Sequence, residues 1–423
     1  MSEAGEVSAE APPSSPPQRR GEELGELAFV LTGGGARAAY QVGVLHWLAE
    51  RYPELHVPII TGVSAGAVNA AHLASHHGSY LQAMEELVHL WCRLRVEDVF
   101  RSDPVSLFSI GTRWMLRLLL GGFTPTPRVK AMLDTEPLRR FLTEALAAVD
   151  GKLTGIDYNL QRGRLRAVAI STTSYTTGQS LVWVQGRDPA MWTRPKRRSI
   201  HTPLSIEHVM ASSALPFFFP AVQLEDGHWY GDGGIRLTAP LSPALHLGAH
   251  RILAISTRFD RSQAQADEPA IAGYPPPAQV AGLLMNAVFL DLIDQDALRL
   301  ETMNRVLERL EPEERKGMRV VKMLVIRPSK DLGQLAAAYE PRLPWTLRLL
   351  SRGLGTRETR SPDILAMLLF QPDYLKRLID LGRADAEAQA DKLVELIEGG
   401  EPTMLGTMEE QEAGRTLRRG QTA

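Results

Sequence analysis

Short apolar runs alternate along this chain with glycine-rich turns and helix-length amphipathic stretches. Leu27-Ala28-Phe29-Val30-Leu31 is apolar at all five positions, the pattern of a parallel strand buried on both faces. It ends in Thr32-Gly33-Gly34-Gly35-Ala36-Arg37, and Ala38 to Glu50 then reads as a helix. A second apolar run, Val57-Pro58-Ile59-Ile60, leads through a glycine-flanked serine into the helix-like Ala67 to Leu73. This strand–helix–strand–helix opening predicts a parallel sheet. Residues 80–150 read as mainly helical, interrupted near Pro104 and at Gly121 to Pro125. Arg166–Ser171 and Gln179–Val184 read as strands, and the turn chemistry of Tyr175 to Gly178 between them predicts a hairpin. A helix around 204–214 leads into Leu215-Pro216-Phe217-Phe218-Phe219-Pro220, and a strand over 251–256 is expected to close the core. Ser262 to Pro277, rich in Ala, Gln and Pro, reads as a linker or mobile loop. Helices are expected at about 278–310, 362–382 and 383–398, with the strand-like Met318 to Ile326 between them available to the main sheet. There is no internal repeat. The expected organisation is a leader over 1–25, a catalytic core over 26–260, a mainly helical extension over 261–399 packed on that core, and a tail over 400–423.

The chemistry clusters at the strand ends. Gly62-Val63-Ser64-Ala65-Gly66 is a G-x-S-x-G pentapeptide at a strand-to-helix junction. Its glycines leave room for a strained turn that pushes the serine Oγ outward, and the following helix N-terminus favours developing negative charge. At the first junction, Gly33, Gly34 and Gly35 expose a row of N–H groups that no Cβ shields, with Arg37 adding a positive charge. Such a row cradles a phosphate or holds the oxyanion of acyl transfer. Gly33, Gly35 and Ala38 also match a dinucleotide fingerprint, which requires an acidic residue near the end of the second strand. No Asp or Glu lies between Leu55 and Gly66, and Glu54 stands at the wrong end of the strand, so the loop is better explained as an oxyanion hole serving Ser64. Far downstream, His228-Trp229-Tyr230-Gly231-Asp232-Gly233-Gly234 sets one carboxylate among glycines. Asp-Gly is ordinary turn chemistry, and only the other two motifs make Asp232 a candidate.

Four blocks in order, Gly33 to Arg37, Gly62 to Gly66, Ala211 to Pro220 and Asp232 to Gly234, resemble the patatin-like phospholipases, lipid acyl hydrolases that use a Ser-Asp dyad. The resemblance covers roughly residues 26–260. It implies an α/β fold of three layers, α/β/α, with a mainly parallel central sheet and additional C-terminal helices. It also implies Ser64 as nucleophile, Asp232 as direct acceptor of its proton, and the amides of Gly33, Gly34 and Gly35 around the oxyanion with Arg37 nearby. Gly62, Gly66, Gly233 and Gly234 would support those positions, and no metal or cofactor is required. The implied substrate is a carboxylic ester of a lipid, phospholipid or lysophospholipid foremost. One position departs from the pattern: the family usually carries Gly after the basic residue of the first block, and Ala38 cannot adopt positive φ cheaply.

A carboxylate with a pKa of about 3.9 is a weak base for a hydroxyl, so a dyad needs a dry setting that raises it. The Leu215 to Pro220 block is a candidate wall, or simply core. A triad is the alternative mechanism, with the histidine following the acid. His246 and His250 follow Asp232, and His201, His208 and His228 precede it, none in a recognisable loop signature. Structural roles are expected for them. His72 and His76, with His77 adjacent, have helical spacing but lack the glutamate and third ligand of a zinc site.

Composition adds limits. The chain has 423 residues, and its 47 basic and 49 acidic side chains sum to −2, giving no pull toward nucleic acid. The single cysteine, Cys92, excludes an internal disulfide and fits a reducing compartment. Met1 to Glu23 has no apolar core and does not read as a signal peptide, and no run of about eighteen apolar residues suggests a membrane span. A cytoplasmic address, peripheral at the membrane, is expected. Residues 113–123 and 343–352 combine Trp, Leu and Arg, the composition of an interfacial helix and equally of a packed amphipathic one. Two further readings stay open: an esterase or thioesterase on soluble acyl compounds, and a catalytically weak scaffold binding lipid or a partner.

Overall fold

The computed structural model describes residues 25–399, apart from 102–108, 110–111, 113–130, 269–270, 272, 290–291, 354, 357–358 and 360. The expected leader (bar Gly25), the tail and the interfacial stretch 113–123 lie outside the described residues.

The amino-terminal half builds β1 (Leu27–Leu31), α1 (Ala39–Arg51), β2 (Ile59–Val63), α2 (Ala65–Ser75), α3 (Tyr80–Arg93) and α4 (Glu136–Ala145). Then come β3 (Ala167–Ser174), β4 (Ser180–Gly186), β5 (Thr193–Arg194), β6 (Arg197–His201), α5 (Ile206–Ser212), β7 (Val222–Gln223), β8 (Trp229–Asp232) and β9 (Arg251–Ile255). The remainder forms α6 (Pro277–Phe289), α7 (Leu292–Leu307), β10 (Lys322–Ile326), α8 (Trp345–Gly353), α9 (Asp363–Leu368), α10 (Pro372–Ala388) and α11 (Ala390–Glu398).

The strands make one sheet in the order β10-β9-β1-β2-β3-β4-β6-β5, with β8 paired to β3 and β7. From β10 to β3 the neighbours run parallel, and β4 turns back against β3 as the predicted hairpin. The strand at 251–255, expected to close the core, lies inside the sheet between β1 and β10. The fold is thus α/β with a mostly parallel central sheet. β5 and β6 were not foreseen, because Thr193 to His201 is largely polar and carries no apolar alternation.

Both faces of the parallel strands are covered, and alternate residues serve different cores. Phe29, Leu31, Val168, Ile170, Leu253 and Ile255 enter the cluster shared with α1, α2 and α10. Ala28, Val30, Ala167, Ala169, Ile252 and Ala254 enter a smaller cluster with Leu241, Ala244, Ile293 and Ala297. That alternation explains why the strands read as unbroken apolar runs. On the first face α1 and α10 pack at close range. A Cβ on Gly43 would lie 2.0 Å from the Ile379 carbonyl oxygen, and one on Gly382 would lie 2.2 Å from that of Tyr40.

Among the described residues, the stretch Pro277–Leu307 is long and apolar enough to cross a membrane by length and composition alone. Sequence reading had suggested no such span. Its second half is tied into the molecule: Ile293, Ala297 and Leu300 pack in the smaller core, and Asp294 pairs with Arg258 and Arg327.

Candidate active site

Strand register assembles the site. On β1 and β2, Leu31 pairs with Gly62, so two residues on, Gly33 faces Ser64. A Cβ built on Gly33 would stand 2.9 Å from the Ser64 Cβ. On β3, Ser171 pairs with Val63 of β2, and the next residue, Thr172, pairs with Asp232 of β8. One edge of β3 therefore carries the end of β2 and then the end of β8. At about 3.3 Å per residue, the side chain after Val63 and the side chain of Asp232 become neighbours. All three motifs meet at the carboxyl ends of the parallel strands, where ligands of open α/β sheets bind.

Ser64 occupies a strained elbow, with φ 56° and ψ −133°. A non-glycine residue in such a region costs on the order of 1–3 kcal/mol and persists only where its surroundings over-determine it. Here the surroundings are a serine pair. The Ser64 N–H donates to Ser212 Oγ at 3.0 Å, Ser212 Oγ donates to the Ser171 carbonyl at 2.7 Å, and Ser213 Oγ donates to the Ser64 carbonyl at 3.1 Å. The Asp232 N–H donates to the Ala214 carbonyl at 3.1 Å. The Ala211 to Ala214 block thus buckles the elbow to β3 and β8. Nothing local in the sequence reveals that these serines reach back some 150 positions.

Asp232 has no solvent exposure. Burial raises its pKa to about 7, against the opposing pull of the Ser64 hydroxyl and the Gly234 N–H. Oδ1 accepts the Gly234 N–H at 2.9 Å. Among the described residues Oδ2 has no hydrogen-bond partner, and the Ser64 hydroxyl and the Tyr175 phenol both act on the carboxylate.

Among the described residues, the N–H groups of Gly33, Gly34 and Gly35 donate to no acceptor. Gly35, at φ 58°, is pressed against α9: a Cβ there would fall 2.2 Å from the Met367 carbonyl oxygen. Arg37, expected as a charge beside the oxyanion, is instead committed to Asp363 of α9. Its NH2 group lies 3.1 Å from Asp363 Oδ1 and 2.7 Å from the Asp363 carbonyl oxygen, with the guanidinium almost fully buried. Ala38 sits at φ −66°, so the departure from the family's usual glycine demands no positive φ. Of the other motif glycines, a Cβ on Gly66 would strike the Leu31 carbonyl oxygen at 2.3 Å, and one on Gly233 would strike that of Ser171 at 2.2 Å.

The Phe-Pro block divides. Leu215 and Phe219 line the apolar cleft that opens at Ser64, whereas Phe217 is 77 % exposed at φ 66°. The histidines have other occupations. His246 stacks on Trp192 with ring centroids 4.5 Å apart, His250 accepts the Glu26 N–H, and His208 meets Trp183 edge-on. His72 turns its Nε2 to the Ala83 carbonyl, and His76 pairs with Glu86.

A family model described as Patatin-like phospholipase matches residues 29–245, just over half of the chain. The chain belongs to the patatin-like phospholipase family. No curated protein matches. Among solved structures, human GIVD cytosolic phospholipase A2 is 13 % identical with a TM-score of 0.47, covering 89 % of this chain and 60 % of its own. VipD from Legionella pneumophila is 14 % identical with a TM-score of 0.34, covering 87 % and 67 %. The type III effector protein ExoU is 13 % identical with a TM-score of 0.33, covering 87 % and 53 %. This patatin-like chain therefore spans little more than half to two thirds of the solved chains it resembles.

Proposed function

We propose that this patatin-like protein cleaves carboxylic esters of phospholipids or lysophospholipids through an acyl-enzyme on Ser64. The observation that carries the reading is a solvent-free carboxylate, its pKa raised to about 7 by burial, set by strand register beside a serine held in a strained elbow. A base poised near the working pH balances availability against driving force. As Oγ bonds to the ester carbon, its proton passes to Asp232, and the carbonyl oxygen becomes an oxyanion facing the amides of Gly33, Gly34 and Gly35. Collapse breaks the ester C–O bond, and the departing alkoxide takes the proton from Asp232. Water then repeats the sequence on the acyl-enzyme, losing its proton to Asp232 and restoring Ser64. Arg37 acts at one remove, by fixing the glycine loop to α9. Contact with the lipid surface is assigned to 343–352, where Trp345 and Leu349 of α8, one helical turn apart, are 59 % and 65 % exposed.

The test is fatty-acid release from mixed phospholipid and lysophospholipid vesicles, with fluorophosphonate labelling alongside. Ser64→Ala and Asp232→Asn are each expected to lower release by about a thousandfold or more, with His246→Ala and His250→Ala unchanged. Cleavage of short soluble esters without release from vesicles would replace the lipid substrate by a soluble one. A folded wild type that neither labels nor cleaves would reduce the site to a binding scaffold.

A further inference from the structure

Two cavities lie in line along α2. The first opens at Ser64 and Gly35 and is walled by Leu138, Leu215, Met367 and Phe370. The second lies further along the helix, among His72, Leu87, Leu90, Ala145 and Leu146. Val68, Trp91, Phe141 and Leu142 line both, so these four side chains form the partition between them.

Polarity is distributed unevenly along this path. At the Ser64 end stand Ser64, Ser213 and Gly35 of the glycine loop. Beyond Val68 the lining is apolar except for His72, whose Nε2 is spent on the Ala83 carbonyl at 3.0 Å. Burial lowers the His72 pKa. A path polar at one end and apolar over the rest matches a molecule with one ester group and an unbranched hydrocarbon tail. Ser64 to His72 spans eight residues, about 12 Å at 1.5 Å per residue, the extended length of roughly ten methylenes. A third cavity, under Gly33 and Gly234 against Leu237 and Ile293, lies beyond the glycine loop, and Ser64 does not line it.

We propose that the acyl chain of the substrate runs along α2, its ester carbon at Ser64 and its tail directed past Val68 and Leu142 toward His72. The partition then sets the chain length that the enzyme accepts. This inference rests on Ser64 being the nucleophile.

Val68 is the residue to change, because it is only half-buried and lies one helical turn from Ser64. Labelling rates would be measured with an ethyl and a dodecyl fluorophosphonate on wild type, Val68→Phe and Val68→Ala. Filling the partition should lower the dodecyl-to-ethyl rate ratio about tenfold or more, and opening it should raise the ratio. Should Val68→Phe not fold, Val68→Ala decides alone. A ratio unmoved in the folded variants overturns the placement while leaving the nucleophile intact. A shift produced instead by Leu237→Phe would put the chain in the third cavity. Wild type that neither probe labels would remove the premise and the proposal with it.

Discussion

Asp232 sits at the end of β8 without solvent contact, and its raised pKa has opposite consequences for stability and for chemistry. The native carboxyl holds its proton up to about pH 7, whereas the unfolded one releases it near its ordinary value of 3.8. Between those values the native state binds more protons than the unfolded state, so stability falls as pH rises, by roughly 1.4 kcal/mol per unit of pKa difference. Asp232→Asn carries no such charge. Its melting temperature relative to wild type should climb between pH 4 and pH 7 and then level off, as thermal scans at fixed ionic strength would show; a flat difference would refute the shift. In the proposed mechanism the ionised form is the base, so kcat/KM should rise with pH to a plateau with a midpoint near 7. A midpoint near 4 would mean that the carboxylate is not the base. At this scale Ser64 and Asp232 were legible because glycine patterns mark sharp turns. Ser212 and Ser213 were not, since a serine that bonds main chain across the fold looks like any other small residue.

Helix α9 holds the glycine loop from outside the family-matched region. Arg37 is buried and Asp363 largely so, and Asn286 Nδ2 donates to Asp363 Oδ2 at 2.7 Å, joining α6 to the same carboxylate. Removing one partner of a buried pair strands the other charge, typically at a cost of about 3–5 kcal/mol. Asp363→Ala should lose that much in urea unfolding, and Arg37→Met combined with Asp363→Leu should recover a large part of it. Equal stability of wild type and Asp363→Ala would show that the pair does not hold the loop. The elements themselves were largely readable. Buried strands gave apolar runs and the hairpin gave turn chemistry, but the helix expected over 362–382 breaks at 369–371 into α9 and α10, and α10 continues to Ala388 past the expected end at 382. The partner of Arg37 was unreadable because 326 residues separate it from Asp363.

The whole molecule extends the family domain through its sheet. β9 and β10 both follow residue 245, and β9 pairs with β1 along all five of its residues. A fragment ending at 245 would leave β1 as a bare apolar edge, the kind of strand that recruits other chains. Such a fragment should aggregate on expression and show no cooperative unfolding, and a soluble, cooperatively melting fragment would contradict this.

The shared edge of β3 also bears on how activity ends on heating. Ser64 and Asp232, the proposed nucleophile and base, are spaced by a hydrogen-bond ladder, and a strand slipped by one residue turns its side chains to the opposite face. No half-slipped arrangement keeps Ser64 beside Asp232. Thermal inactivation should therefore track the melting of the central sheet, with no earlier phase in which an intact fold has already lost its catalyst.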